Sequence, residues 1–280
     1  MTKEKMKKII ITVLALALAA VAMGQSTKEE YLEKYLRLVN RLSYSGVGIE
    51  TFIDKWEAAF PDDGLMLEAR CNYYLDKSMS TRLVAKERDK FLGNKPYLSV
   101  PDSTGKTVNY FEETFFDDEL FGQAVSYLYK AIELYPLELI YRNDLIACLF
   151  AYEKESPDMA VKEIRKVVEM EKTTHPGWLV NGVAISDAEF SELMSRHCLS
   201  LWNIANPAAY ESFFTLSETL AKMYPKDSNY LDNIGSYWLV AKGNDKKAMK
   251  FYKKALKMNP DDEVARTNIR IIERRKAKKK

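Results

Sequence analysis

The stretch from Ser228 to Pro260, SNYLDNIGSYWLVAKGNDKKAMKFYKKALKMNP, sets the tightest limit on what this chain can become. Leu231, Ile234, Gly235 and Trp238 recur at i, i+3, i+4 and i+7, which places them on one face of a helix. Lys242-Gly243-Asn244-Asp245 then breaks the period, with Gly and Asn closing one helix and Asp245 positioned to cap the next. Ala248, Tyr252, Ala255 and Leu256 line a second helix. It stops at Asn259-Pro260, because proline has no N–H to continue the ladder. Two short helices with a glycine at their closest approach form a helical hairpin, and such hairpins reach stability by stacking on others.

The rest of the chain supplies candidates for that stack. Ala124, Leu128, Ala131 and Pro136 repeat the offsets of 4, 7 and 12 that separate Ala248, Tyr252, Ala255 and Pro260. Thr27–Leu42 reads as a helix carrying Tyr31, Tyr35, Leu38 and Leu42, and Ile49–Phe60 as a second one that ends at Pro61. Leu65–Leu75, with Leu67, Cys71 and Tyr74, is the first half of a pair whose second half begins only near Ala124. Ile146, Ala147 and Phe150 belong to another first helix, and Ala160, Ile164 and Val167 to its partner. Ser186 and Glu189 have capping-box spacing and open a helix over Asp187–Ile204, while Pro207–Tyr224 supplies the helix after it. A helix over 261–276 is placed to cover the end of the stack.

Two segments depart from the helical period. Within the insertion after Leu75, Thr81–Phe91 reads as a charged helix. The β-favouring runs Tyr97–Val100 and Thr107–Phe111 then flank a turn-rich loop, giving a hairpin near 97–111. A second hairpin is expected near 178–185, where Asn181-Gly182 joins two apolar runs. An isolated hairpin is marginal in water. The two are therefore expected to pack together as one lateral patch, with Trp178 as its main contact residue; Tyr97 and Tyr110 read as packing residues, with exposed aromatic contact to peptide or sugar as the alternative.

Residues 1–24 read as a signal peptide: a Lys-rich start, the apolar run Ile9–Ala22 and a small-residue cleavage site before Gln25. The apolar run is 14 residues, short of the roughly 20 that span a bilayer. Export follows as an expectation, to the periplasm or alternatively outside the cell, with no transmembrane segment left after cleavage. Cleavage removes four Lys and one Glu from 42 basic and 40 acidic residues, so the net charge falls from +2 to −1. That balance argues against a nucleic-acid partner, which calls for a basic excess. Cys71, Cys148 and Cys198 are odd in number and lie in apolar helical contexts, so they read as small buried residues rather than a disulfide framework.

Catalytic chemistry leaves no local signature. HExxH, GxSxG, CxxC and Glu-x-x-His are all missing from the sequence, and neighbouring His197 and Cys198 point about 100° apart on a helix. Ser103-Thr104-Gly105-Lys106-Thr107 lacks the earlier glycine of a phosphate loop and is followed by a strand pattern instead of a helix. No metal, cofactor or catalytic residue is assigned. The basic tail Arg274–Lys280 reads as a soluble helix end, with contact to anionic surfaces as its functional alternative.

Ser228–Pro260 and Ala124–Pro136 resemble the tetratricopeptide repeat, whose pattern is a large residue, Leu, Gly and Tyr, then Ala, Phe, Ala and Pro. Leu231 stands for the usual Trp, Trp238 for the Tyr, and one extra residue precedes Ala248. The resemblance implies a mainly α, right-handed α-α superhelix over 25–280 with two β-hairpin insertions. It further implies a non-enzymatic scaffold of the bacterial envelope that holds a partner protein's peptide or helix in its concave groove. Carried onto this chain, the groove-lining positions are Glu68 and Asn72, then Tyr141, Asp144 and Cys148, then Asn229, Asp232 and Ser236. A basic set that would clamp a C-terminal carboxylate is missing from these positions. A glycan-handling envelope protein and an enzyme with a non-local carboxylate site are the rival readings.

Overall fold

A computed structural model describes residues Ser26–Lys278; the expected signal peptide lies outside the described residues. The described chain is built from eleven α-helices and two small sheets, and it divides into two compact units.

The first unit holds α1 (Lys28–Leu42), α2 (Ile49–Ala59), α3 (Gly64–Ser78) and α4 (Asp118–Leu134). Its centre is Trp56, fully buried, with Tyr31 stacked on it at 5.9 Å. The Trp56 indole donates to Asp63 (3.0 Å), whose other carboxylate oxygen caps α3 at the Leu65 amide. Helix α4 pairs with α3 although some forty residues separate them in sequence, as the spacing of Ala124, Leu128 and Ala131 predicts; all three are buried. Tyr74 and Tyr127 stack across this pair at 5.9 Å and 7°.

The second unit carries α5 (Leu139–Glu153), α6 (Asp158–Thr174), α7 (Asp187–Ile204), α8 (Pro207–Met223), α9 (Asn229–Ser236), α10 (Asp245–Met258) and α11 (Glu263–Ala277). Neighbours in sequence pack in pairs: α5 on α6, α7 on α8, α8 on α9, α9 on α10 and α10 on α11. The capping box at Ser186 and Glu189 forms in both directions. Helix α9 runs into a π-turn over Tyr237–Ala241. A π-turn houses one more residue than α-geometry allows, which accounts for the extra residue before Ala248. Asn244, not Asp245, caps α10, accepting from the Lys247 amide at 2.9 Å; Asp245 is already in the first turn, where its charge suits the dipole. Helix α11 buries Ala265 and Ile272 against α10 and so covers that end of the stack. In α5, Ile146 is buried and Ala147 exposed, the inward positions being Leu145, Cys148 and Leu149. All three cysteines are buried, and none is in a disulfide.

The expected helix over Thr81–Phe91 is not formed. Met79–Lys86 is strand β1 of a three-stranded sheet with β2 (Leu98–Pro101) and β3 (Thr107–Phe116), in the order β1-β3-β2. Thr81 and Val84 favour the pleat, and β3 offers a free edge that a lone charged helix would leave unpaired. β2 and β3 are antiparallel, with Leu98 opposite Tyr110 and Val100 opposite Val108.

The second hairpin, β4 (Leu179–Val180) with β5 (Val183–Ala184), turns on Asn181 (φ 53°) and Gly182 (φ 72°), both left-handed as a two-residue turn requires. It does not join the first. The sheets are separate and lean on opposite ends of α5. Glu138, before the first residue of α5, accepts from the Asn181 and Gly182 amides (2.6 and 2.8 Å), whereas Lys154, just past its last residue, pairs with Glu113 of the larger sheet and Glu155 with Arg88 just beyond β1. Fifteen helical residues span about 22 Å, so the shared lateral patch does not exist.

Candidate binding site

The larger sheet owes its shape to two turns. At the first, Asp102 accepts from the Thr104 amide and hydroxyl and from the Lys106 amide (2.8, 2.7 and 2.9 Å), and Gly105 at φ 83° closes the loop between β2 and β3. Those donors hold the Asp102 carboxyl below its ordinary value. The Ser103–Thr107 run is therefore a hairpin loop and not a phosphate cradle.

At the second, between β1 and β2, Phe91 and Asn94 exchange both backbone hydrogen bonds (3.0 and 2.9 Å) around Leu92 and Gly93. Leu92 has φ 48°, a conformation that costs a branched residue free energy and is found where the surroundings impose it. Gly93, at φ 83°, cannot be replaced without conflict, since an added Cβ would lie 2.8 Å from Asn203 Cγ.

Cavities open on both sides of this turn. One, of about 490 Å³, is lined by Phe91, Tyr97, Phe111, Glu113, Lys95 and Lys154 among others. The other, of about 420 Å³, is lined by Arg88, Lys90, Glu155, Trp202, Asn203 and Tyr210, and Leu92 borders both. Beneath the first lies a charge triad: Glu113, nearly buried, binds Lys154 at 2.6 Å and Lys86 at 2.9 Å. Burial pushes the Glu113 carboxyl up, but the hydrogen bonds from Lys154 and Lys86 outweigh it and hold the group below its ordinary value. Each lysine also sits over a ring, Lys86 on Phe91 (3.8 Å) and Lys154 on Phe115 (4.0 Å). Lys154 reaches Glu113 from a positive-φ backbone position outside the left-handed helical region, φ 55° and ψ −101°. Two non-glycine residues in costly conformations thus border one cavity.

On the other side, Trp202 and Tyr210 form an aromatic corner at 4.9 Å, and Arg88 is paired to Glu155 (2.6 Å). Four cations (Arg88, Lys90, Lys95, Lys154) and three carboxylates (Glu112, Glu113, Glu155) line the two cavities, and Lys86 adds its charge through Glu113. The cleft can hold a ligand with apolar side chains and negative charge.

The groove positions read from the sequence are less open. Tyr141, Cys148 and Asp232 are buried; Glu68, Asn72, Asp144 and Ser236 are half-buried, and Asn229 is exposed. Burial alone pushes the Asp144 carboxyl up to about 6. Burial together with the adjacent Asp262 carboxyl pushes Asp232 up to about 8. His197, bonded to Asn143, is pushed down to about 4 by burial.

Trp178 is 3% exposed, so it is a core residue and not a contact surface. Its indole donates to Glu171 (3.0 Å), its ring stacks on Phe190 at 6.3 Å, and the Arg142 guanidinium lies over it. Tyr97 is exposed rather than packed, and Tyr110 is half-exposed. The triad and the aromatic corner escaped the sequence analysis. The single legible hint was the pair of β-branched residues in Met79–Lys86, which argues against the helix assigned there.

Residues 232–262 match the profile of the tetratricopeptide repeat. No curated protein sequence matches the chain. Among solved structures, the chain is similar to YrrB, described as a TPR protein with an unusual peptide-binding site (15% identity, 90% of this chain and 95% of that one, TM-score 0.43). It is also similar to MamA (13% identity, 82% and 90%, TM-score 0.42). A third likeness is to pilF of Pseudomonas aeruginosa, at 18% identity over 56% of this chain and 62% of that one, TM-score 0.37.

Proposed function

We propose that this chain is a non-enzymatic interaction scaffold, exported to the cell envelope, that holds a peptide segment of a partner protein. The reading rests on stacked helical pairs with one segment matching a repeat profile, and on the leader-like pattern of residues 1–24. The contact surface in this proposal is the cleft around Leu92 rather than the first-helix groove, several of whose positions are buried.

The observation that carries it is two aromatic-walled cavities lined by four cations against three carboxylates, one of which, Glu113, is further offset by Lys86. An acidic segment bearing aromatic or aliphatic side chains meets both features. Selection from a displayed random peptide library supplies the probe, and Lys90→Glu with Lys95→Glu, both exposed, supplies the test. Selected peptides should be acidic and lose at least about ten-fold in affinity on this charge reversal, as they should with rising salt. Unchanged affinity in the double variant refutes the cleft as the contact surface.

A glycan reading has one specific observation behind it: Trp202 and Tyr210 stand beside Asn203 and Asn206, an aromatic face next to amide groups. A polysaccharide screen with wild type and Trp202→Ala separates the two, since only a glycan site yields a hit that this substitution abolishes.

A further inference from the structure

At the far end of α6 from the cleft, Glu171 lies in the last turn, His175 four residues on is the left-handed C-cap, and Asp187 opens α7 beside them. One ligand atom from each lies within 4.8 Å of the others. His175 Nδ1 is 2.8 Å from Glu171 Oε1, and its Nε2 is 3.7 Å from Asp187 Oδ1. The cluster differs from a chance gathering of surface acids in three ways. It includes a nitrogen donor. Glu171 is 5% exposed, and a buried carboxylate calls for a partner charge. Among the described residues its ion pair is with His175, which carries charge only when protonated. With the imidazole neutral, the cluster therefore holds two negative charges, which a divalent cation balances.

The surroundings of Glu171 fit a ligand rather than a simple ion-pair partner. Trp178 Nε1 donates to Oε2 (3.0 Å), and the Tyr224 hydroxyl lies 3.2 Å from Oε1. Outer hydrogen bonds of this kind orient a carboxylate for a metal and strengthen its hold. Tetrahedral ligands at about 2.0–2.2 Å from zinc stand roughly 3.3–3.6 Å apart, so the Glu171–His175 pair at 2.8 Å needs to open by only about half an ångström or slightly more to admit the ion. One ion takes one imidazole nitrogen, so closing the third position needs rotation of the His175 ring as well as of Asp187, and both side chains are exposed. His175 and Asp187 also bracket the β4–β5 hairpin, so an ion there would tie its two ends together.

We propose that Glu171, His175 and Asp187 form a site for one divalent transition ion, with zinc the best match to one imidazole and two carboxylates. Calcium and magnesium prefer all-oxygen sets. Water completes the coordination.

The test is titration calorimetry of the tag-free full chain with Zn²⁺ after chelator treatment, paired with thermal melting. One ion should bind per chain and raise Tm, and excess Mg²⁺ should not displace it. His175→Asn keeps a residue that tolerates left-handed φ but removes the imidazole, and should weaken binding at least about ten-fold; Asp187→Asn should do likewise. Trp178→Phe retains the ring and removes the outer hydrogen bond, and should weaken binding by about ten-fold or more while leaving the stoichiometry at one. Circular dichroism of each metal-free variant separates lost ligation from lost folding. An affinity that His175→Asn leaves unchanged, or the lack of any zinc binding by the wild type, overturns the site.

Discussion

Gly235 on α9 faces the ring of Tyr252 on α10 so closely that a Cβ at position 235 would lie 2.8 Å from Tyr252 Cε1. Tyr252 cannot yield easily: it is fully buried, and its hydroxyl is hydrogen-bonded to Ser236 (3.0 Å). Any side chain at 235 must push the two helices apart. Overpacking of this kind costs about 1–3 kcal/mol. Gly235→Leu should lower the urea midpoint accordingly, whereas Lys253→Ala on the exposed face should not move it. Equal effects from the two would remove the close approach as the reason for the glycine.

Asp232 makes the same repeat sensitive to pH. Its carboxyl is buried, one oxygen has no hydrogen-bond partner, and burial with the neighbouring Asp262 lifts it to about 8 from 3.8. The folded chain therefore holds this proton across a range in which the unfolded chain has released it. Stability from this group is complete below about pH 4 and is lost as pH rises toward 8. Asp232→Asn keeps the shape without the ionisation, so it should raise Tm at pH 8.5 and change it little at pH 4. Parallel Tm–pH curves for the two proteins would rule out a buried protonated Asp232.

Glu138 clamps the small hairpin through two amides, Asn181 and Gly182, and hydrogen bonds to a charged acceptor contribute about 1.5–3 kcal/mol each. Glu138→Ala should speed hydrogen exchange at those two amides by at least about ten-fold while leaving the interior of α5 protected. Exchange that stays slow in the variant means the two-residue turn holds the hairpin unaided.

How far the sequence carried the structure depended on how local each feature was. Asn181-Gly182 specified its turn and Ser186 with Glu189 specified a helix start, because each acts within four residues. The pairing of α3 with α4 was legible across a long gap because small residues at fixed offsets mark a helix contact wherever the partner lies. β1 was not. Its residues sit beside Glu87, Arg88 and Lys90, good helix formers, and only pairing with β3 decides the outcome. The triad has the same difficulty: Glu113 and Lys154 are 41 positions apart, and nothing near either announces the other. Trp178 looked like surface because it flanks a hairpin, yet Glu171 seven residues earlier gives its indole a buried acceptor.

Leu92 joins stability to binding. It occupies the first position of a two-residue turn at φ 48°, with Gly93 at φ 83° in the second. Turns with both positions left-handed favour Asn-Gly, since asparagine enters that region at low cost and a branched aliphatic residue does not. Such strain is typically about 1–3 kcal/mol, and it persists where other interactions impose it. Leu92 borders both cavities, so its side chain is the apolar divider that a bound segment would touch. Leu92→Asn should therefore raise Tm, because it relieves the backbone, and weaken the selected acidic peptides, because it replaces the apolar divider with an amide. Melting and fluorescence anisotropy on the same preparation would test both. A fall in Tm would mean that Leu92 contributes more by packing than it costs in strain. A higher Tm with undiminished affinity would instead detach the strained turn from binding.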